Sequence, residues 1–340
     1  MKTHSSPFSE RLLDLKTRTQ SISFRKETFN VVYHYYEDFG LNNASHEFTT
    51  TETDEVNIQQ VYNQYREKYN LPFPEEIQAM REKYQLSASK MSDVLGFGTN
   101  VYRQYENGEV PNQSNARLIQ LAQDPAEFKK LILLSAAFSA AETEKISKRI
   151  DQLMQEEAKG LHQSLIENYL LDNNEKPTAE NGYQSPNLEK VRQVILYLVE
   201  QLKPWKTGLN KLLFYADFAH YRYHGKSLMG LRYRAIPLGT VPSSYDRLLA
   251  NSIETGLVNV EYHEFPNGIG ERFSATPKVN FNASLFSEAE LKTLELIVKT
   301  FSNKKTTDIV QLNHQETAWL DNQENRQIVS YEYAFGLRGI

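Results

Sequence analysis

Between Pro74 and Ser135 the chain starts and stops helices so often that no long element fits there. FPEEIQAMREKYQL opens with Pro74 followed by Glu75 and Glu76, a proline at the first helical position and acids where the helix dipole favours them. In SASKMSDVLG, Ser87 or Ser89 is placed to cap the next helix and Gly96 to end it. TNVYRQYENG follows, with Thr99 as the expected cap and Gly108 as the stop. SNARLIQLAQDP and AEFKKLILLSAAF complete five short helices in about 65 residues. Helices this short persist only by packing their apolar stripes on one another, which predicts a compact all-α domain over 71–138 with helix-turn-helix geometry.

The flanking segments read differently. Residues 1–70 are polar and rich in Thr, Asn and Tyr, with FNVVYHYYEDF as the expected strand and EFTTTETDEVN as turn or edge structure. VNIQQVYNQYREKY then turns helical, with Val56, Ile58, Val61, Tyr62, Tyr65 and Tyr69 mostly on one stripe, until Pro72 and Pro74 end it. Over 139–186 a helical connector, one amphipathic helix or two, carries Ile146, Ile150, Leu153, Met154, Leu161, Leu165 and Tyr169, interrupted at Gly160. It reads first as a helix packed on its own chain and second as a dimer seam; DNNEKPTAENGYQSPN then forms a polar linker. In 187–340 helices alternate with extended runs: LEKVRQVILYLVEQL and GLNKLLFYADFAHYRYHG are helical and SLMGLRYRAIPLGTVP extended. LVNVEYHEF and ERFSATP form a hairpin around Asn267 and Gly268, and Ser287 with Glu290 makes a capping box. The expected fold is multidomain and mainly α with α+β parts: a small β-containing N-terminal region, an all-α helix-turn-helix domain and an α+β C-terminal domain.

Composition closes several routes. The 340 residues include no cysteine, which excludes disulfides, thiolate metal sites and a cysteine nucleophile. No apolar run reaches the roughly 18 residues of a spanning helix, so no membrane is expected and the protein reads as cytoplasmic. The net charge of −5 does not announce nucleic-acid binding, and 72–135 holds seven Lys and Arg against eight Asp and Glu. DNA contact must therefore come from local geometry. In a helix-turn-helix unit the start of the second helix meets base edges, which falls here on Thr99, Asn100, Arg103 and Gln104. Asn and Gln match adenine and Arg matches guanine, while Lys90, Asn107, Asn112 and Asn115 are candidates for phosphates. Val101 and Tyr105 are expected to anchor the helix inward. The alternative is a helical module that contacts protein instead.

Residues 186–240 hold nine Lys and Arg against three Asp and Glu, interleaved with Trp205, Tyr215, Tyr221, Tyr223 and Tyr233. Arginine and aromatic side chains anchor protein interfaces, so an acidic or polar protein surface ranks first as partner and nucleic acid second. His220 and His224 lie four apart, but HYRYH lacks the glutamate of zinc proteases, and a cation at His224 suits a helix C-terminus. No metal or cofactor is expected. Asp217 has no accompanying Ser, His and Asp arrangement and no phosphate-cradling glycine loop, so no catalytic residue is assigned and the chain is not expected to be an enzyme.

Two resemblances extend this reading. LPFPEEIQAMREKYQLSASKMSDVLGFGTNVYRQYENGEVPNQSNARLIQLA resembles the helix-turn-helix half of MqsA-type antitoxins within the Xre-like repressors, and YEDFGLNNASHEFTTTETDEVN with QVYNQYREK resembles their N-terminal half. That half holds a structural zinc through cysteines in the family; here it is expected to be metal-free and held by packing. The family's base contacts fall on an Asn early in the recognition helix and an Arg just before the Tyr-Glu pair. Asn100 matches the first, whereas Gln104 replaces the second and leaves Arg103 one position earlier. KLLFYADFAHYRYHGKSLMGLRYRAIPLGTVP, with LNHQETAWLDN and an Ile-Val-Ser-Tyr ending downstream, resembles the SocA-like domain also called Panacea over roughly 188–335. Antitoxins with that domain bind and neutralise toxins encoded beside them.

The resemblances imply a type II antitoxin that caps a cognate toxin with its C-terminal domain and binds double-stranded operator DNA as a homodimer. Toxin contact is expected at Lys211, Tyr215, Asp217, Tyr221, Arg232, Tyr233, Arg234 and Trp319. The rivals are a proteolytic adaptor that delivers a client to a protease and a nucleic-acid-processing enzyme.

Overall fold

The structure, a computed structural model, describes residues 3–39, 45–172, 176–266 and 268–340, with the backbone alone for 157–163. The side chain of Leu161 and the turn residue Asn267 thus lie outside the described residues. The N-terminal strands are β1 (Thr3–Ser5), β2 (Leu12–Asp14), β3 (Lys16–Phe24), β4 (Glu27–Phe39) and β5 (Ser45–Phe48), followed by α1 (Thr51–Tyr69). Helices α2 (Pro74–Lys83), α3 (Ala88–Leu95), α4 (Val101–Glu106), α5 (Gln113–Leu121), α6 (Pro125–Ser135) and α7 (Ala140–Leu170) come next. Then follow α8 (Leu188–Leu202), α9 (Lys206–His224), β6 (Tyr233–Ile236), β7 (Gly239–Pro242) and α10 (Tyr245–Glu254). The hairpin β8 (Val258–Phe265) and β9 (Gly268–Ala275) precedes α11 (Glu288–Phe301), α12 (Thr306–His314) and α13 (Thr317–Leu320). The mainly α, multidomain character with small sheets agrees with expectation. The chain divides into two compact units, Met1–Val61 with Glu167–Ile340, and Tyr62–Ile166.

In the first unit the N-terminal sheet is larger than the single expected strand. β3 pairs antiparallel with β4 from Lys16↔Tyr35 to Phe24↔Glu27. The two turn residues, Arg25 and Lys26, both take positive φ, 49° and 68°, as a tight hairpin turn of primed type requires. β3 is mostly exposed and its apolar alternation is confined to Ile22 and Phe24 at its end, too short a signal to read as a strand. α1 begins at Thr51, before the expected Val56, because the Thr53 amide donates to Thr50 Oγ1 and the Thr50 amide to Thr53 Oγ1, at 3.3 and 2.8 Å. Asn57 accepts from the His34 amide (2.7 Å) and donates to the His34 carbonyl (2.9 Å), and Gln60 does the same at Val32. These amides stand in for a neighbouring strand along the β4 edge. The His34 ring meets Phe335 edge-on at 4.9 Å, so residues from both ends of the sequence share this unit.

The expected polar linker is in part docked. Asn181 and Tyr183 are buried, Ser227 Oγ donates to the Asn181 carbonyl at 2.7 Å, and the Ser227 amide donates to the Gly182 carbonyl at 2.8 Å. Gly230 seals the same corner at φ +74°, and a Cβ there would lie 2.5 Å from the Gln184 carbonyl oxygen and 2.9 Å from the Pro186 nitrogen. Both obstacles are backbone and neither can yield. Gly230→Ala is expected to cost roughly 2–3 kcal/mol in urea unfolding; an unchanged midpoint would show that this corner relaxes freely. The predicted capping box at α11 is present: the Ser287 amide donates to Glu290 Oε2 at 2.8 Å and the Glu290 amide to Ser287 Oγ at 3.3 Å.

In the second unit α2 to α6 are the five short helices expected. Ser87 caps α3 by accepting from the Lys90 amide, and Gly96 ends it in the left-handed conformation. Asn100, not Thr99, is the N-cap of α4, itself left-handed at φ 68° and without a side-chain cap bond. The core gathers Ile77, Met80, Tyr84, Met91, Leu95, Tyr102, Ile119, Phe128 and Ile132. Tyr84 stacks on Phe128 at 3.9 Å between ring centroids. α7 is one continuous helix, with Ile150 and Leu153 buried in this core.

Candidate functional site

Two regions hold the candidate residues, each inside one unit. On α4, Tyr102 is the inward anchor: fully buried, its hydroxyl donates to the Ile77 carbonyl at 2.7 Å and its amide to Ser92 Oγ at 3.2 Å. Tyr105 is buried as expected, whereas Val101 is only partly so. With Tyr102 and Tyr105 inward, helical periodicity turns Arg103 and Gln104 outward, and Thr99, Asn100, Arg103, Gln104 and Asn107 are all exposed. This short ridge carries amide donors and acceptors, a hydroxyl and one guanidinium.

Three of the expected phosphate contacts also make hydrogen bonds within the fold. Lys90 Nζ donates to the Ala137 carbonyl at 3.0 Å and sits 4.9 Å from the Phe138 ring. Asn112 caps α5 by accepting from the Asn115 amide, and Asn115 Nδ2 donates to the Tyr105 hydroxyl at 2.8 Å. Each of these side chains is engaged in the fold of its own unit.

The second region is α9, which is buried all round from Gly208 to Tyr221. Asp217 lies at its centre. Oδ1 accepts from the amides of Leu228 (2.9 Å) and Met229 (2.6 Å), and Oδ2 faces the hydroxyls of Tyr233 (2.9 Å) and Tyr331 (3.2 Å). Each tyrosine has a carbonyl as its other acceptor, Leu213 at 3.0 Å for Tyr233 and Leu231 at 2.7 Å for Tyr331. Burial pushes the Asp217 carboxyl up to about 6, against the opposing pull of its four donors. Six residues earlier on the same helix, burial pushes the Lys211 ammonium down to about 7. Tyr215 donates to Glu316 at 3.1 Å, and Glu316 also accepts from the Arg338 and Gly339 amides, each at 3.0 Å at its closest.

This geometry corrects most of the expected contact residues of the C-terminal domain. Lys211, Tyr215, Asp217, Tyr221 and Tyr233 are sealed from solvent and cannot meet a partner docked on the folded surface. Arg234 is exposed, and Arg232 is partly exposed with Nε 3.3 Å from Glu180. Trp319 is half-buried, donating to the Ile236 carbonyl at 2.8 Å and stacking on His314 at 4.0 Å. His220 is buried against His224 at 4.5 Å between centroids; Thr293 donates to the Ala289 carbonyl, so His220 Nδ1 donates to Thr293 Oγ1 at 3.0 Å. Burial holds that imidazole well below its ordinary value. Among the described residues no three His, Cys, Asp or Glu converge as metal ligands, and no helix is long and apolar enough to cross a membrane.

The interior network was hidden in the sequence on its partner side. Glu316 and Tyr331 lie in the two downstream segments that carry the Panacea resemblance, but neither has a local signal for burial against α9. Comparison with curated proteins and with solved structures found no match. Residues 209–320, from the first turn of α9 to the end of α13, match the family model described as antitoxin SocA-like, Panacea domain.

Proposed function

We propose that the protein is an antitoxin that neutralises a cognate toxin by direct binding through the region around α9–α13. The observation that carries this is the match of residues 209–320 to an antitoxin domain. The chemistry of the site supports it. Asp217, the acid best placed by sequence for catalysis, is sealed from solvent with both oxygens engaged, an arrangement suited to holding a scaffold and unsuited to meeting a substrate. Neutralisation then acts by contact alone, with no bond made or broken. Co-expression with the product of the open reading frame adjoining its gene is expected to restore growth and to co-purify a complex. Growth restored without physical association would remove direct capping and favour an adaptor that delivers the partner to a protease.

The helical unit is proposed to act on DNA, in keeping with its Xre-like and MqsA-type resemblance. Supporting this are five exposed polar side chains on and beside α4, among them Asn100, Arg103 and Gln104, whose types match adenine and guanine edges. The net charge of the segment is slightly negative, so two copies on adjacent half-sites are part of the proposal. The double variant Asn100→Ala, Arg103→Ala is expected to weaken promoter binding by roughly two orders of magnitude, at about 1–3 kcal/mol per base contact, in a mobility-shift titration. Growth rescue by the same variant is expected to be unchanged. Loss of both activities together would show that the two functions are not divided in this way.

A further inference from the structure

A cavity of about 420 Å³ opens beside the N-terminal end of α9, and nothing in the description of its interior network involves it. Its lining holds four cations, Lys203, Arg272, Lys304 and Lys305, and no carboxylate. All four are exposed, and none forms an ion pair among the described residues. Asp308, close in sequence, spends its carboxylate on the α12 cap, accepting from the Lys305 amide at 3.1 Å. The floor is apolar, built from Leu202, Pro204, Leu212, Phe301 and Ile309. Lys203 is the C-cap of α8 at φ 44°, a left-handed position that glycine fills at lowest cost, yet a lysine stands there at the cavity mouth.

Trp205 joins this cavity to a second feature. Its ring lines the cavity and meets Phe265 and His263 of the β8–β9 hairpin edge-on, at 5.4 and 5.1 Å. The hairpin is pinned to the same segment by the Phe273 amide, which donates to the Pro204 carbonyl at 3.0 Å. Around its tip Tyr262, Phe265 and Ile269 are 68%, 52% and 70% exposed. On the hairpin face that carries Trp205 and Arg272, the half-exposed Phe265 stands beside an unbalanced cationic cavity, and the two form one surface for a partner, while Tyr262 and Ile269 point to the opposite face.

We infer that the Trp205 cavity and the adjoining Phe265 of the β8–β9 hairpin form a docking surface for an acidic segment of a partner protein that carries an apolar or aromatic side chain. The carboxylates meet the four cations and the apolar side chain fills the floor. A phosphate backbone satisfies the cations but leaves the apolar floor and Phe265 uncovered, which favours protein over nucleic acid. The inference rests on the antitoxin reading for the identity of the partner, and on the cavity itself for its chemistry.

The test uses the full chain and two probes. Tryptophan fluorescence titrated with a peptide in which glutamates flank a phenylalanine is expected to saturate, and the same peptide with lysines for glutamates is expected to bind roughly tenfold or more weakly. The double variant Arg272→Glu, Lys305→Glu is expected to lose roughly tenfold or more in affinity with its circular dichroism unchanged. If it unfolds, Lys304→Gln with Lys305→Gln carries the same expectation in a milder form. Absence of saturable binding, equal binding by the variants, or displacement of the peptide by a single-stranded oligonucleotide at lower concentration than by peptide overturns the assignment. With the adjoining gene product as second probe, wild-type capture lost in the variant supports it. Equal capture by wild type and variant ends the cavity assignment and leaves the antitoxin reading standing; peptide binding without capture does the reverse.

Discussion

Asp217→Ala is expected to cost roughly 3–5 kcal/mol of folding stability at pH 7, whereas Asp217→Asn is expected to match or exceed the wild type. Alanine leaves the Leu228 and Met229 amides without their acceptor in a sealed interior, and it opens a void beneath two tyrosine hydroxyls. Asparagine satisfies every group. Its oxygen replaces Oδ1 as acceptor for both amides, and its amino group donates to the tyrosine hydroxyls, which turn their own protons to the Leu213 and Leu231 carbonyls. It also removes a buried charge. Because burial raises the Asp217 carboxyl to about 6 from an unfolded value near 3.8, the folded state favours the protonated form. Its contribution is fully present below the unfolded value and is lost as pH rises through about 6. Wild type and Asp217→Asn are therefore expected to coincide near pH 4 and to diverge up to pH 7 by roughly 2–3 kcal/mol, with the variant the more stable. Parallel pH profiles in thermal unfolding would show that Asp217 is not held in this environment.

The features that were legible in the sequence have local causes. Ser87, Gly96 and the Ser287–Glu290 box act within four residues of themselves, and the β8–β9 register follows from two alternating runs around one short turn. What could not be read depends on partners far along the chain. β3 shows an apolar face only at Ile22 and Phe24, and its length rests on pairing with β4. Lys90 looked free because Ala137 lies 47 residues away. The largest misreading is α9. Lys211, Tyr215, Asp217 and Tyr221 read as a partner-binding face, since periodicity separates polar from apolar sides without saying what covers the polar one. Here Tyr215 and Asp217 are covered by Glu316 and Tyr331, 101 and 114 residues downstream. The burial of that face is why the proposed docking surface lies instead at the exposed cations beside the N-terminal end of α9.

Lys211→Met is expected to stabilise the protein by on the order of 4 kcal/mol at pH 7 and below, because the interior penalises the charged ammonium. Its side chain is fully buried, Nζ has no hydrogen-bond partner among the described residues, and a Cβ on Gly239 would lie 2.6 Å from Lys211 Cε, so the head is tightly enclosed. Burial lowers its ionisation from 10.5 to about 7. The direction is opposite to that of Asp217. The contribution of this group is fully present above the unfolded value of 10.5 and is lost as pH falls through about 7. The advantage of the methionine variant is therefore expected to be largest at pH 6.5 and to shrink towards pH 10 in urea unfolding. A second readout is independent of stability. Burial and the Lys211 charge both hold the His314 imidazole down, so removing the charge is expected to raise its titration midpoint, visible through the fluorescence of Trp319 stacked upon it. Destabilisation at pH 6.5 with an unmoved His314 would mean that the ammonium has a partner within the fold. Partner capture is expected to survive the substitution, because a side chain sealed beneath β7 and α12 offers nothing to a surface docked at the Trp205 cavity.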